Sequence, residues 1–293
     1  MSFGSAYLTL PDFKYIRPKS LQEVLALLDE HKDEAKILAG GVGLFAFMKE
    51  RLVAPQYVVD IKGINELQVL RDKGSEGLTI GAAVNLNTIL EFEPLKDRYT
   101  ALRDCVHLLS DPVLRNRSTL IGDLCEALPY VDSPTPLLIF DAEVEAASVK
   151  GRRRIPVSEF IKGLAETALE PNELAVAVHL KAPPQGSRSI FLKSTSNVEF
   201  SVANVAALCV NPSRPEARTM RYACGAIAPM SSRVHEVEGL FKRKAPIPSL
   251  IDDAVKVIMK AVEPMSDVLA TAEYRSHMLE ILSIRAFHEL LVS

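Results

Sequence analysis

Residues 37–44 have the sequence Ile-Leu-Ala-Gly-Gly-Val-Gly-Leu, a short apolar run that leads into three closely spaced glycines. An apolar run that ends in glycine is typical of a buried strand, and the mainly apolar residues 44–52 that follow predict a helix. A second β-rich run at 57–61 then closes a β-loop-α-β unit. This unit predicts an α/β region near the start of the chain, with the glycine loop between a strand and a helix.

The glycine loop, residues 39–43, has two interpretations. Backbone N–H groups at the start of a helix lack intrahelical partners, and glycine lets the backbone form a concave nest close to an anion. The helix dipole adds to the attraction for phosphate. The loop has neither the G-x-G-x-x-G spacing of a dinucleotide fold nor the lysine of a P-loop. From these residues alone, a phosphate cradle and an ordinary tight turn both stay open.

Residues 115–123, with the sequence RNRSTLIGD, form a second candidate loop. Thr119 offers a hydroxyl group, and Gly122 allows a close approach of the backbone. The segment could therefore be a second phosphate-binding loop that faces the first. The alternative is a surface turn with solvated arginines, which is the more common use of such a sequence.

Two charged residues could extend such a site. Asp132 lies in a proline-flanked loop, where its carboxylate could accept hydrogen bonds from a ribose or ribityl diol. The more common use of aspartate in such a loop is a helix cap or an Asx-turn. Lys193 ends a short predicted strand and could reach a flavin ring edge or a phosphate. Its alternative role is that of an exposed lysine at a sheet edge.

The rest of the chain divides at residues 183–186, whose sequence PPQG is a loop signal. Before this point, Ser20 and Glu23 form a capping box that opens a helix. Further strands are predicted at 78–81, 143–149 and 174–180, helices at 85–90 and 101–109, and a polar turn at 151–154. After the division we expect strands at 190–194, 201–210 and 218–226, then helices at 231–241, 249–262 and 273–291. Ser249 and Asp252 suggest a capped start for the middle helix.

Composition excludes several classes of protein. The 293 residues suffice for about two domains, and the formal net charge of −3 argues against a nucleic-acid binder. The four cysteines include no C-x-x-C pair and the six histidines no metal-pair spacing, so we expect neither a disulfide framework nor a zinc site. We expect no secretory signal and no membrane span. A reducing, cytoplasmic location is therefore expected.

Several short motifs, in order along almost the whole chain, resemble the FAD-binding medium subunits of the molybdenum hydroxylases, the family of carbon monoxide dehydrogenase and xanthine dehydrogenase. The motifs that carry the resemblance lie at 13–18, 38–44, 59–61, 80–82, 115–122, 129–134, 225–233, 263–268 and 272–275. This sequence also departs from the family pattern. Gly43 stands where a serine is common, Ser118 where a glycine is, and Ile121 where the second loop has its first paired glycine. A β-branched residue does not readily adopt φ > 0. If the family's glycine at this position needs such a conformation, the loop must either differ at Ile121 or hold its ligand less tightly.

The resemblance implies an α+β fold. Residues 1–182 would form an α/β FAD-binding unit of two subdomains, about 1–62 and 63–182. Residues 187–293 would form a C-terminal domain with a three-stranded antiparallel sheet and a helical bundle. The residues implied to bind FAD are Ala39, Gly40, Gly41, Val42, Gly43, Leu44, Ser118, Thr119, Gly122, Asp123, Asp132 and Lys193. No catalytic side chain and no metal ligand is expected on this chain.

The resemblance also implies a role and partners. FAD would pass electrons between the [2Fe–2S] clusters of a small subunit and an external acceptor or donor, while a large subunit carries the molybdenum–pterin centre. The chain would be an oxidoreductase subunit in a heterotrimer, inactive on substrate alone. Two alternatives stay open: a flavin-free structural subunit of such a complex, and a nucleotide-binding oxidoreductase that acts by itself.

Overall fold

A computed structural model describes residues 9–195, 200–242 and 247–292. Its first layer is a parallel three-stranded sheet in the order β1-β3-β2. The predicted β-loop-α-β unit accounts for two of these strands, β2 and β3. The strands are β1 (Lys14–Ile16), β2 (Ala35–Leu38) and β3 (Tyr57–Asp60), and the helices that connect them are α1 (Leu21–His31) and α2 (Val42–Lys49).

The capping signals of the sequence act as expected at α1. The Ser20 hydroxyl accepts a hydrogen bond from the Glu23 N–H (3.2 Å), and the Glu23 carboxylate accepts one from the Lys19 N–H (2.8 Å). Helix α2 begins at Val42, two residues before its predicted start. The reason is that Gly41, with φ of +85°, occupies the position before the helix in a left-handed conformation.

The second layer is a five-stranded antiparallel sheet in the order β4-β5-β10-β6-β7. Its strands are β4 (Leu70–Asp72), β5 (Leu78–Gly81), β6 (Glu143–Ser148), β7 (Gly151–Pro156) and β10 (Leu174–Leu180). A small hairpin precedes the last of these, formed by β8 (Ile161–Gly163) and β9 (Glu166–Thr167). The intervening helices are α3 (Leu86–Leu90), α4 (Glu93–Asp97), α5 (Thr100–Leu108), α6 (Pro112–Arg115), α7 (Leu120–Glu126), α8 (Pro134–Ile139) and α9 (Val157–Phe160).

The polar turn predicted at 151–154 is wrong, because these residues belong to the edge strand β7. This edge strand is mostly polar because its arginine side chains form ion pairs with acidic groups and do not pack against the core. Arg152 contacts Glu145 of β6 (Nη1–Oε1 2.5 Å), and Arg154 contacts Glu143 of the same strand (3.3 Å). Such cross-strand ion pairs stabilise a strand that lacks apolar alternation.

The third layer is an antiparallel sheet in the order β11-β12-β13-β14. Its strands are β11 (Ser187–Thr195), β12 (Ser201–Val210), β13 (Thr219–Gly225) and β14 (Ser232–Arg233). The helices that follow along the chain are α10 (His235–Glu238), α11 (Ile247–Ala261) and α12 (Ala272–Leu291). The three predicted strands are present, and the two-residue β14 adds a fourth. The α+β class expected from the sequence is confirmed by this arrangement.

Two predicted helices of this region differ from the structure. Residues 231–241 do not form one helix. Arg233 of β14 contacts Asp141, which lies two residues after the end of α8, and also binds Glu238 (Nε–Oε1 2.5 Å). Only α10 and a short 3₁₀ turn are helical in this segment. The capped start predicted at Ser249 is also wrong, because α11 already begins at Ile247. Pro248 then lies in the first turn, where a missing N–H is tolerated.

Arg275 of α12 is buried with 1% of its surface exposed and connects α12 to the third sheet. Its Nη1 donates to the carbonyl oxygen of Val202 (2.7 Å) and to that of Ala226. Its Nη2 contacts Asp267 (2.5 Å). One guanidinium group therefore satisfies two backbone carbonyls and holds the loop before α12.

Within the described ranges, no helix is long and apolar enough to cross a membrane.

Replacement of Arg275 by Met should lower the free energy of unfolding by about 3 kcal/mol, because two backbone carbonyls would lose their donor. Arg285→Met is the matched control, since Arg285 lies on the same helix but is exposed, and its change should stay within about 0.5 kcal/mol. Urea unfolding followed by circular dichroism measures both. Equal destabilisation by the two substitutions would contradict this role of Arg275.

Candidate functional site

The two candidate loops touch through their backbones. A Cβ atom built on Gly40 would overlap the carbonyl group of Arg117 and lie 2.9 Å from the Cα of Ser118. Real Cβ atoms do not approach other atoms so closely, so only glycine fits at position 40 while the loops are in contact. The glycine loop is therefore more than a tight turn between β2 and α2, because it is shaped to receive the second loop.

Five consecutive backbone donors line this contact. The N–H groups of residues 40–44 donate to no acceptor within the described part of the chain. The first hydrogen bond of α2 runs from the Phe45 N–H to the Gly41 carbonyl (3.0 Å). Free N–H groups at the start of an eight-residue helix, next to a left-handed glycine, are a binding arrangement for an anion.

The second loop is held in place by local hydrogen bonds. The Thr119 hydroxyl accepts a hydrogen bond from the Gly122 N–H (3.0 Å) and so caps α7. The carbonyl of Ser118 accepts one from the Leu86 N–H (2.9 Å). Because the Thr119 oxygen is the acceptor, its hydroxyl hydrogen stays available to a ligand.

Arg115 shows why the surface-turn interpretation fails for one arginine and holds for another. Arg115 is buried, and its guanidinium donates to the carbonyls of His107 (2.9 Å) and Ser110 (2.6 Å). Arg117, two residues later, is exposed. Arg115 therefore fixes the segment that carries the second loop. No sequence pattern separates the two residues, because the difference arises only from which carbonyls the fold brings near.

The conflict expected at Ile121 does not occur. Ile121 lies inside α7, with its side chain in the main core, and its φ is not among the positive values of the described residues. Gly122 likewise has no positive φ. The loop therefore makes no use of a left-handed glycine at position 121, and a β-branched residue is accommodated as part of a helix.

Asp132 and Lys193, both predicted as ligand contacts, form a buried ion pair with each other. Their atoms Oδ2 and Nζ lie 2.7 Å apart, and their side chains are 2% and 5% exposed. Oδ1 of Asp132 also accepts hydrogen bonds from Ser201 (2.5 Å) and Asn204 (2.8 Å). Sequence reasoning missed Ser201 and Asn204, which lie on β12 and meet Asp132 only in the folded protein. Contact of Asp132 and Lys193 with FAD stays a prediction.

Two further acidic groups of α7 lie near the loops. Burial raises the pKa of Asp123 to about 6, and the pKa of Glu126 to about 8, to which the charge of Asp123 adds. The Glu126 carboxylate lies directly against Gly43, so that a Cβ atom on Gly43 would be 2.7 Å from Cδ of Glu126. Glu126 was not among the predicted site residues, because its sequence position carries no motif.

A cavity of about 210 Å³ opens beside the loop contact. Residues of both loops line it, together with residues of the segments between β3 and β4 and between β5 and α3: Ala39, Lys62, Gln68, Ala83, Asn85, Asn116, Arg117 and Thr119. The described residues contain no group of three His, Cys, Asp or Glu side chains that could hold a metal ion. The site therefore consists of backbone donors, one hydroxyl and a small polar cavity, and can bind a phosphate-bearing group.

Comparison with known proteins indicates that the phosphate-bearing group is FAD. A family model of the FAD binding domain in molybdopterin dehydrogenase matches residues 11–183. A second model, of the CO dehydrogenase flavoprotein C-terminal domain, matches residues 194–290. Together these models cover both sides of the loop signal at 183–186.

Relatives agree over nearly the full length. The carbon monoxide dehydrogenase medium chain of Hydrogenophaga pseudoflava is 30% identical over 278 residues, which are 95% of this chain and 96% of that protein. The putative xanthine dehydrogenase FAD-binding subunit of Escherichia coli is 28% identical over 280 residues, 94% of each chain. The glyceraldehyde dehydrogenase medium chain of Sulfolobus acidocaldarius is 28% identical over 281 residues, 96% of this chain and 99% of that protein.

Solved structures carry the same fold. A structure of carbon monoxide dehydrogenase from Hydrogenophaga pseudoflava that lacks the Mo-pyranopterin moiety of its molybdenum cofactor matches with a TM-score of 0.91 and 28% identity. That match covers 97% of this chain and 99% of the solved one. The chain therefore belongs to the family of FAD-binding subunits of molybdenum hydroxylases, which includes the carbon monoxide and xanthine dehydrogenases, and it is an oxidoreductase subunit.

Proposed function

We propose that this chain holds FAD between its two loops and carries electrons between the [2Fe–2S] clusters of a small partner subunit and an external acceptor or donor. A large partner subunit would hold the molybdenum–pterin centre at which substrate reacts. One observation supports this role above the others: the row of free N–H groups at residues 40–44, in backbone contact with the second loop. Relatives named medium chain or subunit are, by name, parts of larger complexes.

The residues present fit FAD. Its diphosphate needs several donors without bulky side chains, which the N–H groups of residues 40–44 provide. The Thr119 hydroxyl hydrogen adds a donor from the opposite loop. When bound, FAD supplies redox chemistry that exchanges electrons one or two at a time. The chain itself supplies position and electrostatics, and no side chain of the site need act as an acid or base on substrate.

The buried pair of Asp132 and Lys193 would serve the flavin end of the site. Lys193 is a cation held within 2.7 Å of its carboxylate partner, so its ammonium position is fixed by Asp132. A fixed cation stabilises negative charge that develops on a neighbouring group. We therefore expect Lys193 to favour the reduced, more negative form of a flavin placed beside it, with Asp132 as the residue that positions it.

Gly41→Val should remove most of the FAD. Gly41 has φ of +85° and lies against the side chains of Leu38 and Phe45, so a β-branched residue would distort the row of donors. Gly186→Val is the matched control, because Gly186 has φ of +78° but a Cβ atom added there would have no neighbour within 4 Å. The ratio of flavin to protein absorbance in the purified complex measures the loss. Full flavin content in Gly41→Val would contradict the proposed cradle.

Thr119→Ala should weaken FAD binding about tenfold, because one hydrogen bond to a charged group is lost, worth ~1–2 kcal/mol. It should also lower the free energy of unfolding by about 1 kcal/mol, since α7 loses its cap. Thr119→Ser keeps the hydroxyl and should restore both. Quenching of FAD fluorescence gives the affinity, and thermal melting gives the stability. If Thr119→Ala loses stability but keeps its affinity, the hydroxyl acts only as a cap.

Purification of the natively expressed protein through a tag on this chain tests the assembly. We expect two co-purifying subunits, about one FAD and about four irons per chain, and molybdenum in the complex. Reduction of the flavin by substrate should require the partners. A colourless complex would favour the flavin-free alternative. A lone chain that binds flavin and oxidises NAD(P)H would favour the independent oxidoreductase.

A further inference from the structure

One carboxylate lies where the proposed function needs an anion to bind. Glu126, the last residue of α7, has its carboxylate against Gly43 in the first turn of α2. The distance of 2.7 Å from Cδ to a Cβ built on Gly43 means that no larger residue fits at position 43 while Glu126 holds this position. Position 43 belongs to the same row of free N–H groups that is proposed to bind the diphosphate.

The surroundings of Glu126 contain no balancing cation among the described residues. From its own helix, Asp123 adds negative charge, and Cys125 is a neighbouring thiol whose pKa is raised to about 12 by burial. From the following loop, Tyr130 is an uncharged phenol, since burial and these carboxylates raise its pKa to about 12. Residues 42–48 of α2 include no ionisable side chain, and Lys49 is exposed at the far end of that helix.

The protonation state of Glu126 decides whether it opposes or assists an anion. Burial and the charge of Asp123 raise its pKa to about 8, so near pH 7 the carboxyl is mainly protonated and neutral. No residue in the described ranges donates a hydrogen bond to its oxygens. An ionised Glu126 beside a phosphate would place two negative charges together, whereas a neutral carboxyl can donate a hydrogen bond to a phosphate oxygen.

We infer that Glu126 is a binding residue for the FAD diphosphate in its protonated form, with its O–H donating to a phosphate oxygen beside Gly43. This inference rests on the proposed function, because it concerns the same loop contact. Binding of FAD to the ionised form of the protein then takes up one proton from solvent onto Glu126. The absence of a side chain at Gly43 is the counterpart of this arrangement, since it leaves room for the carboxyl group.

The sign of the pH dependence follows. Only the protonated form binds FAD, so the affinity for FAD is highest well below the Glu126 pKa of about 8 and falls as pH rises through that value. Between about pH 6.5 and about pH 9.0 the dissociation constant should increase about tenfold. Glu126→Gln keeps the shape and an N–H donor but cannot ionise, so its dissociation constant should change little over the same range.

The experiment titrates the purified complex, stripped of FAD, with FAD over that pH range and follows flavin fluorescence. Glu50→Gln is the matched control, because Glu50 is an exposed glutamate at the other end of α2, and it should behave as the unsubstituted protein does. Calorimetry at about pH 8.5 in two buffers of different ionisation enthalpy counts protons directly and needs no variant. We expect uptake of about 0.8 proton per FAD.

The outcomes separate the two proposals. A dissociation constant that does not depend on pH, or no proton uptake, overturns the role of Glu126 while leaving FAD binding intact. The same pH dependence in Glu126→Gln as in the unsubstituted protein assigns the proton to another group and overturns it as well. No FAD binding at any pH would overturn the proposed function itself, and this inference with it.

Discussion

The backbone contact between Gly40 and the Arg117–Ser118 peptide is the constraint on which the rest of the site depends. It requires the strand β2 to end beside the segment that leads into α7, and it therefore fixes the first sheet relative to the second. Arg115 keeps the other side of the contact in place through backbone carbonyls. A site made mainly of N–H groups needs this rigidity, because backbone donors can be aimed only by fixing the whole loop.

A second set of contacts joins the site to the third sheet. Asp132 comes from the chain before α8, whereas its partners Lys193, Ser201 and Asn204 belong to β11 and β12. The pair is buried, and removal of either partner would leave an uncompensated charge, which is costly in a protein interior. The C-terminal sheet therefore does more than support its own helices, because it completes the environment of Asp132, a charged group from the N-terminal part of the chain.

The sequence predicted most of the regular structure correctly, because strand and helix periods, caps and glycine turns act locally. Thus β10 was found from its aliphatic run, and α1 from Ser20 and Glu23. The edge strand β7 was missed since its run of arginines shows no apolar alternation, and the glutamates that pair with them become visible only when β6 and β7 are side by side. Within the site, the glycine loop was visible from its composition, but Glu126 was not, because its importance comes from its distance to Gly43 and not from any motif.

The polar edge strand β7 also limits how the second sheet can grow. An exposed edge offers free N–H and C=O groups to any other strand, yet Arg152, Arg153 and Arg154 line this one, and β4 at the opposite edge spans only three residues. A second copy that aligned its own β7 here would bring the arginines of both strands together. Pairing of this edge with the same edge of another copy, and so growth into fibrils, is thereby disfavoured.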